Sequence, residues 1–90
     1  MSKISVLYMP AFKKIYKKLH VNEKLIVDEV IGEIIKNPKI GEEKSVFVYK
    51  FKIHHQEMLL AYEWNPKERL LLALGVHENF YRDLKKTFIN

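Results

Sequence analysis

A chain of 90 residues with 48% hydrophobic and 30% charged side chains fits one globular domain spanning 1–90 and excludes a disordered polymer. The absence of cysteine excludes disulfides and thiolate metal centres, and a domain this small without such staples is expected in a reducing cytoplasm. Sixteen Lys and Arg against eleven Asp and Glu leave a formal charge of +5, which favours nucleic acid, ribosomes or an acidic protein partner without choosing among them.

Ile4 to Tyr8 is rich in β-branched and apolar residues and is stopped by Pro10, so it reads as a first strand. Pro10 suits the first turn of a helix, where its missing N–H costs little. Phe12, Ile15, Tyr16 and Leu19 then recur at helical spacing, with Lys13, Lys14, Lys17 and Lys18 on the other side. His20 is expected at the end of this helix, complementing its dipole. Asn22 reads as the N-cap of a second helix, with Glu23 in the first turn. Its apolar stripe is Leu25, Ile26, Val30, Ile34 and Ile35, and Pro38 ends it.

Pro38 to Ser45 reads as a loop. Val46 to His54 then alternates, placing Phe47, Tyr49, Phe51 and Ile53 on one face and Val48, Lys50, Lys52 and His54 on the other. Met58 to Trp64 follows after a tight connection at His55-Gln56, with Met58, Leu60, Tyr62 and Trp64 sharing one parity. Asn65-Pro66-Lys67-Glu68 is a hairpin turn into Arg69 to Val76. From Glu78 a short C-terminal helix is expected, with Phe80, Leu84 and Phe88 on one side. The order is β-α-α-β-β-β-α, an α+β fold with a helix pair packed on a mainly antiparallel four-stranded sheet. The longest apolar run, around Leu70 to Leu74, is too short to span a membrane, and the N-terminus lacks the apolar core of a signal peptide.

Two places offer chemistry. With the aromatic side of the Val46–His54 strand buried, Lys50, Lys52 and His54 project together and can meet phosphates or stabilise charge developing in phosphoryl transfer. A solvated sheet face carrying Lys is the plain alternative. The second place is Gly75 to Arg82, a strand-to-helix junction. His77 suits general acid or base work, Tyr81 lies one turn later, and Arg82 can hold a phosphate bidentately. A surface or capping histidine is the plain alternative there. Adjacent His54 and His55 are poorly placed to chelate one ion, and no Walker loop, nucleophile elbow, HExxH or dinucleotide fingerprint is present.

Three stretches, Asn37 to Glu42, Val46 to Lys52, and Leu72 to Lys85, resemble the RelE/ParE superfamily of bacterial toxins, and the likeness runs from about Val6 to Lys86. The resemblance implies a toxin encoded beside an antitoxin that wraps and neutralises it. RelE-type members cleave mRNA in the ribosomal A site without a metal or cofactor, whereas ParE-type members poison DNA gyrase. Lys50 and Lys52 match the paired lysines of the RelE strand, His77 falls at the position of a catalytic Arg or His, and Tyr81 matches a C-terminal Tyr. The resemblance thus implies His77, Tyr81 and Lys52 as catalytic residues, with Lys50, Lys52, His54 and Arg82 binding RNA. The expected partners are an antitoxin, the ribosome and mRNA, or alternatively gyrase, with no membrane. An inactive family member is a third possibility. Two departures stand out: Leu59 replaces an Arg of RelE, and Glu42-Glu43-Lys44-Ser45 is shorter than the usual loop.

Overall fold

The computed structural model describes residues 3–76, so the C-terminal helix expected from Glu78 lies outside the described residues. Strand β1 (Ser5–Tyr8) leads directly into helix α1 (Pro10–Tyr16), with Pro10 opening the first turn. Phe12 is fully buried, while Lys13, Lys14, Lys17 and Lys18 face solvent. Helix α2 (Val21–Lys36) follows and is capped by His20 rather than Asn22. The Glu23 carboxylate accepts the His20 backbone N–H at 2.8 Å, which is one half of a capping box and fixes the helix start. His20 therefore sits at the positive end of α2, a correction to its expected place at a negative helix end.

The buried stripe of α2 is Val27, Val30, Ile31 and Ile34, spaced i, i+3, i+4 and i+7. Leu25, expected on that stripe, is 57% exposed and shares the outer face with Val21, four residues earlier. Tyr16 and Asp28 tie the two helices together: the phenol donates to a carboxylate oxygen at 2.7 Å. That bond first, then burial and the negative charge of Asp28, push the Tyr16 hydroxyl up to about 12.

Among the described residues, the sheet has five strands in the order β1-β5-β4-β3-β2, with β1 parallel to β5 and every other pairing antiparallel. The additional strand, β2 (Glu42–Glu43), lies within the segment expected to be loop and pairs with the start of β3 (Phe47–Ile53). Two glutamates carry no strand signal of their own, so tertiary pairing makes this strand. A two-residue turn joins β3 to β4 (Gln56–Asn65), and Pro66-Lys67 joins β4 to β5 (Glu68–Val76).

The β4–β5 register slips once. Ala61 pairs with Ala73 but Tyr62 pairs with Leu71, leaving Leu72 as the extra residue of a bulge. Leu71 and Leu74 consequently both face the helices, while Leu72 and Ala73 face away. The main core holds Phe12, the α2 stripe, Leu60, Tyr62, Leu71 and Leu74. A second buried cluster, Val48, Leu59, Ala61 and Leu72, occupies the opposite face of the sheet.

Two polar clasps lock α2 and the chain after it onto the sheet. Arg69 is 3% exposed, and its guanidinium donates to the carbonyls of Ile34 at 3.0 Å and Ile35 at 2.9 Å. These carbonyls lack helical partners in the last turn of α2, and the negative end of the helix dipole favours the cation. Further bonds reach the carbonyls of Asn65 and Glu68, and the guanidinium lies over the Trp64 ring, 5.8 Å from its centroid. In the second clasp, the buried Tyr62 hydroxyl donates to the Pro38 carbonyl at 2.6 Å and accepts the Gly41 N–H at 2.9 Å. Burial pushes that hydroxyl's pKa up. A Cβ at Gly41 would lie 2.7 Å from the Tyr62 hydroxyl, so glycine is needed here for space.

Candidate functional site

The site begins with the pleat of β3. Phe47, Tyr49, Phe51 and Ile53 pack toward the helices, and the Phe47 ring meets Tyr62 at 5.7 Å and Trp64 at 6.0 Å. With those rings fixed, strand alternation turns Val48, Lys50 and Lys52 to the other face. Val48 is buried there in the second cluster, whereas Lys50 and Lys52 are exposed. The structure thus brings the two expected lysines side by side on one face, two residues apart, or about 6–7 Å along the strand.

His54 does not continue this row. The strand ends at Ile53, and His54 occupies the turn with a positive φ of 58°. A two-residue hairpin connection demands such a left-handed conformation, which overrides the alternation expected through residue 54. His54 instead lines a pocket at the hairpin end with His55, Leu19, Glu23 and Met58. Its expected place beside Lys50 and Lys52 is therefore corrected.

The register adds a residue that sequence reading missed. Lys52 stands opposite Glu57, and Lys50 opposite Leu59. Paired residues project from the same face, so the exposed Glu57 carboxylate joins the two lysines. The turn length was the signal: His54-His55 as a two-residue connection fixes Ile53 against Gln56 and hence Lys52 against Glu57.

Leu59, the departure from the RelE pattern, is fully buried among Val48, Ala61 and Leu72. A guanidinium at that position would bury charge against apolar side chains. His77, Tyr81 and Arg82 lie outside the described residues. Among the described residues, no three His, Asp or Glu side chains gather where a metal ion could be held. No described helix is long and apolar enough to cross a membrane.

Comparison with known proteins places this architecture. A family model described as "ParE-like toxin of type II bacterial toxin-antitoxin system" matches residues 6–85. The chain belongs to this ParE-like toxin family. The expected RelE/ParE membership is met, and solved structures show the same fold. A chain of the intact E. coli RelBE toxin-antitoxin complex superposes with a TM-score of 0.68 at 18% identity, covering 83% of this toxin and 98% of that chain. A double arginine-to-alanine mutant of E. coli RelE in the free state gives a TM-score of 0.70 at 14% identity, covering 98% of this toxin and 100% of that chain. Isolated E. coli RelE gives 0.64 at 16% identity, with coverage of 92% and 97%. A search of curated proteins returned no match.

Proposed function

We propose that this ParE-like toxin is a ribosome-dependent mRNA endonuclease of the cytoplasm, held inactive by a cognate antitoxin. The observation that carries the reading is the exposed Lys50–Lys52 pair on the sheet face turned away from the helices. A single-stranded RNA backbone laid along this face meets two ammonium groups at the spacing of alternate strand residues, and they stabilise the charge that grows on a phosphate under attack. His77 supplies acid–base chemistry, assisted by Tyr81, and Arg82 holds phosphate in place of the guanidinium excluded at Leu59. The reaction uses neither metal nor cofactor. His54 contributes from the hairpin end, apart from the lysine row.

A second reading, inhibition of DNA gyrase without catalysis, is favoured by the ParE-like character of the matching family model. Primer extension on mRNA from cells expressing the toxin, run beside a gyrase supercoiling assay, separates the two. Endonuclease action gives discrete new mRNA 5′ ends with unaltered supercoiling. Intact mRNA with blocked supercoiling would replace the proposal with the second reading, and the absence of both effects would point to an inactive member.

A further inference from the structure

On the helix side of the sheet, away from Lys50 and Lys52, a cavity of about 390 Å³ lies between the end of β1, α1 and α2. It is lined by Tyr8, Phe12, Lys13, Tyr16, Lys17 and Asp28, and its volume is that of a small-ligand site. We infer that this cavity binds an unpaired ribonucleotide of an RNA strand, with the base against Tyr8 and the phosphate on Lys13 and Lys17. The site is separate from the Lys50–Lys52 face and does not depend on whether the toxin cleaves mRNA.

The aromatic part follows from the way β1 runs into α1. Pro10 opens the helix two residues after Tyr8, which brings the Tyr8 ring to 5.7 Å from Phe12, and Phe12 stacks on Tyr16 at 5.8 Å. Phe12 is fully buried and forms the floor. Tyr16 has little ring surface to give, since it is stacked on Phe12 and carries the Lys24 ammonium over its ring at 5.6 Å. Tyr8 is 43% exposed and keeps ring surface on which a base can stack.

The polar groups sit around this ring. Lys13 and Lys17 are exposed and one helical turn apart, so their side chains are neighbours and can close on a single phosphate. Asp28 faces the cavity from α2. One of its oxygens accepts the Tyr16 hydroxyl at 2.7 Å, which fixes the carboxylate and leaves the second oxygen to accept from a base N–H or a ribose hydroxyl. The cavity therefore combines cations, an acceptor and a flat apolar surface, the complement of a nucleotide. An acidic peptide satisfies the lysines but brings its own carboxylates toward Asp28, so it is the poorer match. Single-stranded RNA supplies splayed bases for such stacking, whereas a duplex keeps them paired.

The plain alternative is an aromatic border of the core beside solvated lysines. Isotope-labelled toxin, followed by its amide NMR signals, should be titrated with AMP, GMP, CMP and UMP, with the matching tetraribonucleotides, and with inorganic phosphate. At least one nucleotide and its tetranucleotide should shift Tyr8, Lys13, Lys17 and Asp28, and the tetranucleotide should bind more tightly, while inorganic phosphate leaves Tyr8 unmoved. Tyr8→Ala and Lys13→Ala/Lys17→Ala should each weaken binding about tenfold or more. The control Lys14→Ala/Lys18→Ala takes the same charge from α1 but not from the cavity, and should stay within about threefold of wild type. Circular dichroism and denaturant midpoints establish that each variant is folded, and the exposed lysine pairs test the site even where Tyr8→Ala is destabilised. Unmoved cavity signals with every nucleotide, or equal weakening by the two lysine pairs, overturn the proposal. Equal affinity for mononucleotide and tetranucleotide overturns the RNA strand as ligand in favour of a free nucleotide. Tighter binding of the peptide Glu-Glu-Phe-Glu-Glu at the same signals overturns the proposal in favour of an acidic protein partner.

Discussion

Arg69 shows how far a single side chain can secure this fold. It is buried to 3% exposure and serves four backbone carbonyls, two of them from the last turn of α2. Replacement by Met keeps the bulk but strands those acceptors, so Arg69→Met should lose about 3 kcal/mol or more in urea denaturation. Arg69→Lys should recover only part, because an ammonium cannot reproduce the planar fork that spans Ile34 and Ile35. A Met variant within about 0.5 kcal/mol of wild type would show that Arg69 does not anchor the helix. Tyr62 and Gly41 form a second test. Tyr62→Phe should cost about 1–3 kcal/mol by leaving the Pro38 carbonyl and Gly41 N–H without their shared partner. Gly41→Ala should also destabilise, since its Cβ meets the hydroxyl at 2.7 Å. Combining the two should cost less than their sum, because removing the hydroxyl removes the clash. Strict additivity in that cycle would contradict the contact. None of these roles was legible in the sequence: Arg69 reads as an ordinary first residue of a strand, and its two partners on α2 are 34 and 35 residues away.

At the scale of elements, the helix pair is joined by the Tyr16–Asp28 bond, and its pH dependence has a definite sign. The folded state holds the Tyr16 proton to about 12 against an ordinary value of 10.0. The folded protein therefore binds that proton more tightly than the unfolded chain, and the stabilisation is fully present below pH 10.0 and lost as pH rises through about 12. The difference in denaturant midpoint between wild type and Tyr16→Phe should shrink across that window. A difference that stays constant would exclude the bond as the source. Helices and strands were legible because their periods are strong: Phe12 at the buried face of α1, the alternation of β3, and Asn65-Pro66 as a turn all follow from local chemistry. Three features were not. Leu25 points outward because the helical phase is set by Val27, Val30, Ile31 and Ile34 together. The bulge at Leu72 is invisible in an unbroken Leu run. Strand β2 exists only through its pairing with β3.

Across the whole molecule, these elements produce two unlike faces. One carries the helices and the main core; the other carries a small apolar cluster beside an exposed row of Lys50, Lys52 and Glu57. The sequence already offered the two lysines, since simple alternation assigns them to one side of β3. It could not offer Glu57, which becomes their neighbour only through the register of the hairpin. It also misplaced His54, whose left-handed turn conformation is a demand of the connection rather than of the strand. The central claim is that this face handles RNA, and it is tested most directly by mapping mRNA cleavage on purified ribosomes with wild-type toxin and a Lys50→Ala/Lys52→Ala variant. The lysines are exposed, so the variant should fold with a denaturant midpoint near wild type. Wild type should cut ribosome-bound mRNA, and the variant should do so at least about 100-fold more slowly. Equal rates for the two proteins, or intact mRNA with wild type, would contradict the account.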